Sequence, residues 1–171
     1  MSKIMTLTMI VRDGKMLLGM KKRGFGVGKW NGFGGKVEEG ESIREAAIRE
    51  VFEESGLTVE ELEEAGTAEF SFEDGTGSRT VHVFRCASYS GDPVETDEMR
   101  PEWFDLDRLP ISDMWPADTH WLSGYFLHDK PFRAEFLYDH PTAPDRPSTI
   151  LRMEISEIRN DENISGRISI R

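Results

Sequence analysis

Cysteine is nearly missing from this 171-residue chain, which has only Cys86. No intramolecular disulfide can form, and a reducing, cytoplasmic compartment is the expectation. Cys86 ends the strand-like run VHVFRC (81–86), so it reads as a buried structural thiol rather than a nucleophile. Long apolar runs are also missing. Nothing approaches the roughly 20 residues needed to cross a bilayer, and residues 1–12 read as a strand rather than a signal peptide. Positive charge is scarce as well, with 21 Lys and Arg against 32 Asp and Glu, a net charge of -11 and a pI near 4.9. Binding to a nucleic-acid polymer needs a concentrated basic surface, so that class of partner is excluded. A small phosphorylated ligand remains compatible, because six of the seven lysines fall at or before Lys36. The acidic surplus also fits adaptation to a salty cytoplasm, a hypothesis that full stability in low salt would dispose of.

The length predicts one domain with a sizeable core, over residues 1–158, followed by a polar, loose tail over 159–171. Strands are expected at 5–11 and 15–20, joined by the hairpin turn Asp13-Gly14. A loop follows with glycines at 24, 26, 28, 32, 34 and 35. It is neither a Walker A loop nor a dinucleotide fingerprint. Its amides can approach an anion, with Lys21, Lys22 and Arg23 alongside, although a flexible basic connection would look the same. Residues 59–64 read as a short helical turn, 67–72 and 80–87 as a hairpin across EDGTGS, and 95–101 as an acidic loop. A helix over 117–127 and strands over 132–138 and 150–155 complete the pattern. There is no internal repeat and no low-complexity tract.

The densest chemistry lies in GKVEEGESIREAAIREVFEESGL (35–57). Ile43, Ala46, Ala47 and Val51 recur at helical spacing, predicting a helix over 42–55 that Gly56 stops. Glu50, Glu53 and Glu54 stand three and four residues apart, so their carboxylates share one side of the cylinder. Each like-charged pair at that spacing costs roughly 0.2–0.5 kcal/mol when exposed, and Arg49 offsets only part. A solvated acidic face is one reading. A site for a hard cation is the other, since magnesium takes oxygen ligands from a few carboxylates, waters and phosphates.

The spacing of Gly35, Glu41, Arg49, Glu50, Glu53, Glu54 and Gly56, with Val51 and Leu57 apolar, resembles the Nudix box at every defined place. The resemblance implies the α+β Nudix fold, a mixed β-sheet sandwiched between helices. It also implies a hydrolase acting on nucleoside diphosphate derivatives. Its cofactor would be Mg2+, with Mn2+ as a substitute, and the metal ligands Glu50, Glu53, Glu54, Glu98 and the Gly35 carbonyl. Glu53, Glu54, Glu98 and Arg49 form the catalytic set, with Glu53 and Glu98 both open as the base.

Beyond the box, LLGMKKRGFG (17–26), WNGFGGKV (30–37), EESGLTV (53–59), DEMRP (97–101) and DMWP (113–116) look like the animal MutT-homologue branch, which cleaves oxidised purine triphosphates to monophosphate and pyrophosphate. This resemblance implies a nucleotide pocket of Thr6, Lys21, Asn31 and Phe33, with Trp115 stacking on the base and Asp118 bonding its edge. Phe25, Gly34, Gly35, Lys36, Phe70 and Phe72 complete the substrate-binding candidates. From the residues alone, Trp115, Phe70 and Phe72 would be assigned to core packing. Where that branch has two aspartates after Trp-Pro, this chain has Ala117 and Asp118, which puts base selectivity in doubt but not the hydrolytic chemistry. Other Nudix substrates, such as a dinucleoside polyphosphate, a nucleotide sugar or a capped RNA end, use the same box. A non-catalytic nucleotide sensor would normally show damaged glutamates. The expected partner is a small nucleotide, with no membrane, and the protein is expected as a monomer or small homo-oligomer.

Overall fold

The computed structural model describes residues 1–143 and 145–159 in full and 167–170 as backbone. Asp13 and Gly14 both take positive φ, 52° and 72°, the combination a two-residue hairpin of the twisted type requires. They join β1 (Ser2–Arg12) to β2 (Lys15–Lys21), with Ile10 opposite Leu17. The short β3 (Trp30–Asn31) also pairs with β2. Helix α1 (Ile43–Ser55) follows, then β4 (Thr58–Phe72), β5 (Ser78–Ser90) and β6 (Met99–Asp105). Helix α2 (Pro116–Gly124), β7 (Phe132–Tyr138), β8 (Ile150–Glu157) and β9 (Arg167–Ile170) end the described chain.

The strands form one mixed sheet in the order β3-β2-β1-β5-β4-β7-β8-β9, with β6 on β2. The β1/β5 and β4/β7 pairs are parallel and the rest antiparallel. Successive side chains of a strand point to opposite faces, and the apolar residues divide accordingly. Leu7 and Met9 of β1 join Val83, Trp121, Leu122 and Phe132 in the cluster beneath α2. Ile10 joins Leu17, Phe33, Ala47, Val51 and Leu57 in the cluster beneath α1. Trp121 stacks on Phe132 with centroids 5.1 Å apart. Among the described residues no helix is long and apolar enough to cross a membrane.

Three expectations need correction. Residues 59–64 are not a helical turn but the first half of β4. Their glutamate-rich sequence favours helix locally, yet they pair with β5 through register shifts at Val59/Glu61, Glu61/Glu63 and Glu64/Gly66. Such bulges destroy the two-residue alternation by which a strand is recognised. The helix expected over 117–127 begins at Pro116, where a missing N–H costs nothing. It stops at Gly124, and a separate 3-10 turn covers Phe126–His128. The tail expected to be loose contains β9, laddered to β8; residues 160–166 and 171 lie outside the described residues.

Residues 31–35 run against β1, with hydrogen bonds from Thr6 N–H to the Gly35 carbonyl (2.8 Å) and between Thr8 and Phe33 in both directions (2.7 and 3.0 Å). The approach is close enough to require glycine at position 34, where an added Cβ would lie 1.9 Å from the Thr6 carbonyl oxygen. That obstacle is backbone and cannot rotate away. Gly34→Ala is therefore expected to lower stability by about 3 kcal/mol or more, read as the loss in unfolding free energy in urea. An unchanged midpoint would show that the loop does not dock on β1 as described.

Candidate functional site

Helix α1 is held at both ends. Ser42 accepts from Glu45 N–H while Glu45 accepts from Ser42 N–H, a reciprocal capping box. At the other end Gly56 takes a left-handed φ of 76° and donates to the Phe52 carbonyl at 2.8 Å. Ala46, Ala47 and Val51 are fully buried beneath it; Glu50 and Glu54 meet the glycine loop at Gly35 and Gly34, while Glu53 stays exposed.

Glu54 is the unusual member, only 4% exposed. Gly34 N–H donates to its Oε2 at 2.9 Å, and Lys21 Nζ lies 3.9 Å from its Oε1. These partners do not offset the loss of water, and burial pushes its carboxyl up to about 8. Burial also raises Glu50, against the pull of Arg49. An added Cβ on Gly35 would lie 2.3 Å from Glu50 Oε1, so that glycine leaves room for the carboxylate. Glu98 is opposite in character: Arg23 and Lys21 each donate to it at 3.3 Å and hold its carboxyl below the usual range.

Arg49 organises this group. Its Nε and Nη2 fork onto Glu41 at 2.7 and 3.0 Å, Nη1 donates to Glu50 at 2.9 Å and Glu53 at 3.2 Å, and Nη2 donates to the Lys36 carbonyl at 3.1 Å. All five N–H donors of the guanidinium are used, leaving none for a substrate. Glu41 in turn is pulled down to about 2 by that fork. Among the described residues no three His, Cys, Asp or Glu side chains are gathered as a ready metal cage. The carboxylates of Glu50 and Glu53 are turned to the guanidinium instead.

One cavity of about 1060 Å³ connects these carboxylates with Lys21, Asn31 and, at its far end, Phe25, Phe70, Phe72, Trp115 and Asp118. Thr6, Gly34, Gly35 and Lys36 also line it. Thr6 Oγ1 is buried without a partner, a polar atom left for a ligand. The acceptor of Asn31 is taken by Gly32 N–H at 2.9 Å, so its amide NH2 is the group it offers. Trp115 stacks on Phe25 at 5.0 Å and 15°. Asp118 accepts from Trp121 Nε1 at 3.2 Å, and burial pushes its carboxyl up to about 7. Tyr138 beside it is also raised, by burial and by the charge of Asp118.

Phe33 departs from the expectation for a pocket residue. It is fully buried in the cluster beneath α1 and does not line the cavity. Conversely, Lys29, Arg79, Tyr138, Thr142 and Ser148 line the cavity without having been singled out. Tyr138 was legible only through register: it lies opposite Phe72 in the parallel β4/β7 pair, a pairing that no local pattern reveals.

The profile of the NUDIX domain matches residues 3–125. The chain is 53% identical over 137 residues to the oxidized purine nucleoside triphosphate hydrolase of Danio rerio, covering 80% of this chain and 87% of that one. It is 43% identical over 157 residues to the protein of the same name from Mus musculus, covering 92% and 96%. Among solved structures, a MutT protein of Bacillus halodurans superposes with a TM-score of 0.74 at 28% identity, covering 90% of this chain and 97% of that one. With the box intact on a capped helix, a matching fold and relatives of this closeness, the chain belongs to the Nudix family.

Proposed function

We propose that this protein hydrolyses oxidised purine nucleoside triphosphates to the monophosphate and pyrophosphate with the help of magnesium, in a reducing cytoplasm. The observation that carries this reading is the continuity of the cavity, whose carboxylate end suits a polyphosphate and whose aromatic end suits a base. The relatives named for oxidised purine triphosphates support the choice of substrate.

The donors fit a hard divalent cation. Glu50, Glu53, Glu54 and Glu98 offer oxygen only, and the cost of burying Glu54 is what a cation beside it would relieve. The place beside Glu50 and Glu53 already attracts positive charge, supplied here by Arg49. Bound magnesium, or manganese in its place, would polarise phosphoryl oxygens and ease deprotonation of a water. Lys21 and the glycine-loop amides would take up charge growing on the departing pyrophosphate. Glu53 or Glu98 would accept the water's proton, Glu98 being tied to Lys21 and Arg23 and Glu53 to Arg49. Arg49 would hold Glu50 and Glu53 in place rather than touch substrate. Trp115 would supply a stacking face of about 1–3 kcal/mol, and Asp118 a hydrogen-bonding group at the base edge.

Two outcomes test this. Replacing Glu54 by Gln is expected to cut turnover of oxidised dGTP by about 10²-fold or more. In chelator the same variant should be more stable than the parent. A carboxyl raised in the folded state to about 8 keeps its proton while the unfolded chain has lost it. Stability therefore falls as pH rises from the ordinary carboxyl range through 8, by an amount on the order of 4 kcal/mol. Thermal melts between pH 5 and 9 read this directly, and a Gln variant that is active, or less stable at pH 8.5, contradicts the assignment.

The second outcome concerns selectivity. Ala117 is 1% exposed and lines the cavity next to Asp118. Ala117→Asp should raise the ratio of kcat/KM for oxidised over normal dGTP, while lowering stability by roughly 1–3 kcal/mol through burial of a further carboxyl. An unchanged ratio would remove Ala117 from the account of base choice.

A further inference from the structure

Arg79, the second residue of β5, lies at the aromatic end of the cavity, on the α2 side of the sheet. Arg79, Val81 and Val83 alternate onto one face, and Val83 belongs to the core beneath α2. Glu50, Glu53 and Glu54 belong to α1, across the sheet. Its guanidinium lies 5.6 Å from the Phe25 ring centroid and 5.7 Å from that of Phe72, within cation–π range of both. Although the chain carries 32 acidic residues, among the described residues no carboxylate pairs with Arg79 and no acceptor takes its N–H groups. The other two arginines of the cavity are fully or partly committed, Arg49 to three glutamates and Arg23 to Glu98. Arg79 is a rigid donor fork in a half-buried site, held by rings and lacking an acceptor.

We propose that Arg79 reads the base: it donates to the keto oxygen of a guanine-type purine and so favours guanine-type over adenine-type triphosphates. This rests on the function proposed above. A guanidinium has donors only. Guanine presents O6 and N7 as adjacent acceptors; guanine oxidised at C8 keeps O6 while N7 becomes a donor, and the O8 it gains is shared by adenine oxidised at C8, so O6 is the acceptor that discriminates. An adenine-type base sets an amino donor at the same edge, which meets the fork donor to donor. Phosphate is the less fitting ligand, because the polyphosphate end is already furnished with Lys21 and Arg23 beside the glutamates.

The test is steady-state kinetics of the parent, Arg79→Met and Arg79→Lys on dGTP, oxidised dGTP and oxidised dATP with magnesium. Arg79→Met keeps the length and apolar contact but removes the donors. It should lower kcat/KM about tenfold on both guanine-type substrates, through KM with kcat unchanged, and leave oxidised dATP unchanged or raised, since the donor-to-donor contact is removed with the fork. Arg79→Lys, which keeps charge without the fork, should recover only part of the loss. Equal losses on all three substrates would mean a packing role and overturn the proposal, as would no loss on any. Should Arg79→Met fail to fold, Arg79→Gln is read by the same ratios. A parent inactive on every triphosphate overturns the proposed function with it, whereas an active parent with an unaltered base ratio overturns this inference alone.

Discussion

A carboxyl group that has been taken out of water without a full counter-charge is the constraint around which this molecule is built. Glu54 has one amide and one distant ammonium for company, too little to repay its dehydration. Such a group persists only where the surrounding structure over-determines its place. Here α1 is fixed by a cap at each end and by three fully buried apolar side chains, and the loop opposite is pinned to β1 by main-chain hydrogen bonds. The stabilisation of the rest of the fold is what permits this local cost.

Arg49 and the glycines solve two parts of the same problem. Four carboxylates within reach of one another would splay apart, and a planar fork with five donors ties Glu41, Glu50 and Glu53 into one arrangement. Lysine at that position would carry the charge but not the geometry. Gly34 and Gly35 let the loop approach β1 and Glu50 at distances that any side chain would forbid. Spacing of the box is thus explained by contacts: Gly35 meets Glu50, Glu41 meets Arg49, and Gly34, next to the first glycine of the box, meets Glu54.

Much of this was legible in the residues because each piece has a local physical signature. The Asp13-Gly14 turn, the 3.6-residue period of α1, the stop at Gly56 and the clustering of glutamates all follow from short-range geometry. What was not legible depends on partners far away in sequence. Residues 59–64 look helical until β5 is supplied, and their bulges hide the strand. Phe33 stands in the glycine loop beside true cavity residues, but two backbone bonds to Thr8 turn its ring into the core. Arg79 and Tyr138 enter the cavity only because β4 brings Phe70 and Phe72 between the strands that carry them.

The two ends of the cavity are built on different elements. The carboxylates come from α1 and the loop before β6, while Trp115 and Asp118 come from the start of α2, and Phe70, Phe72, Arg79 and Tyr138 from β4, β5 and β7. Phe70 and Tyr138 pack on the cluster beneath α2, whereas the other cluster lies beneath α1, so substitutions at the two ends of the cavity are expected to act independently. The box can therefore stay intact whatever stands at positions 79 and 117. On the function proposed above, hydrolytic competence and base choice would be set by separate residues at the two ends of one cavity.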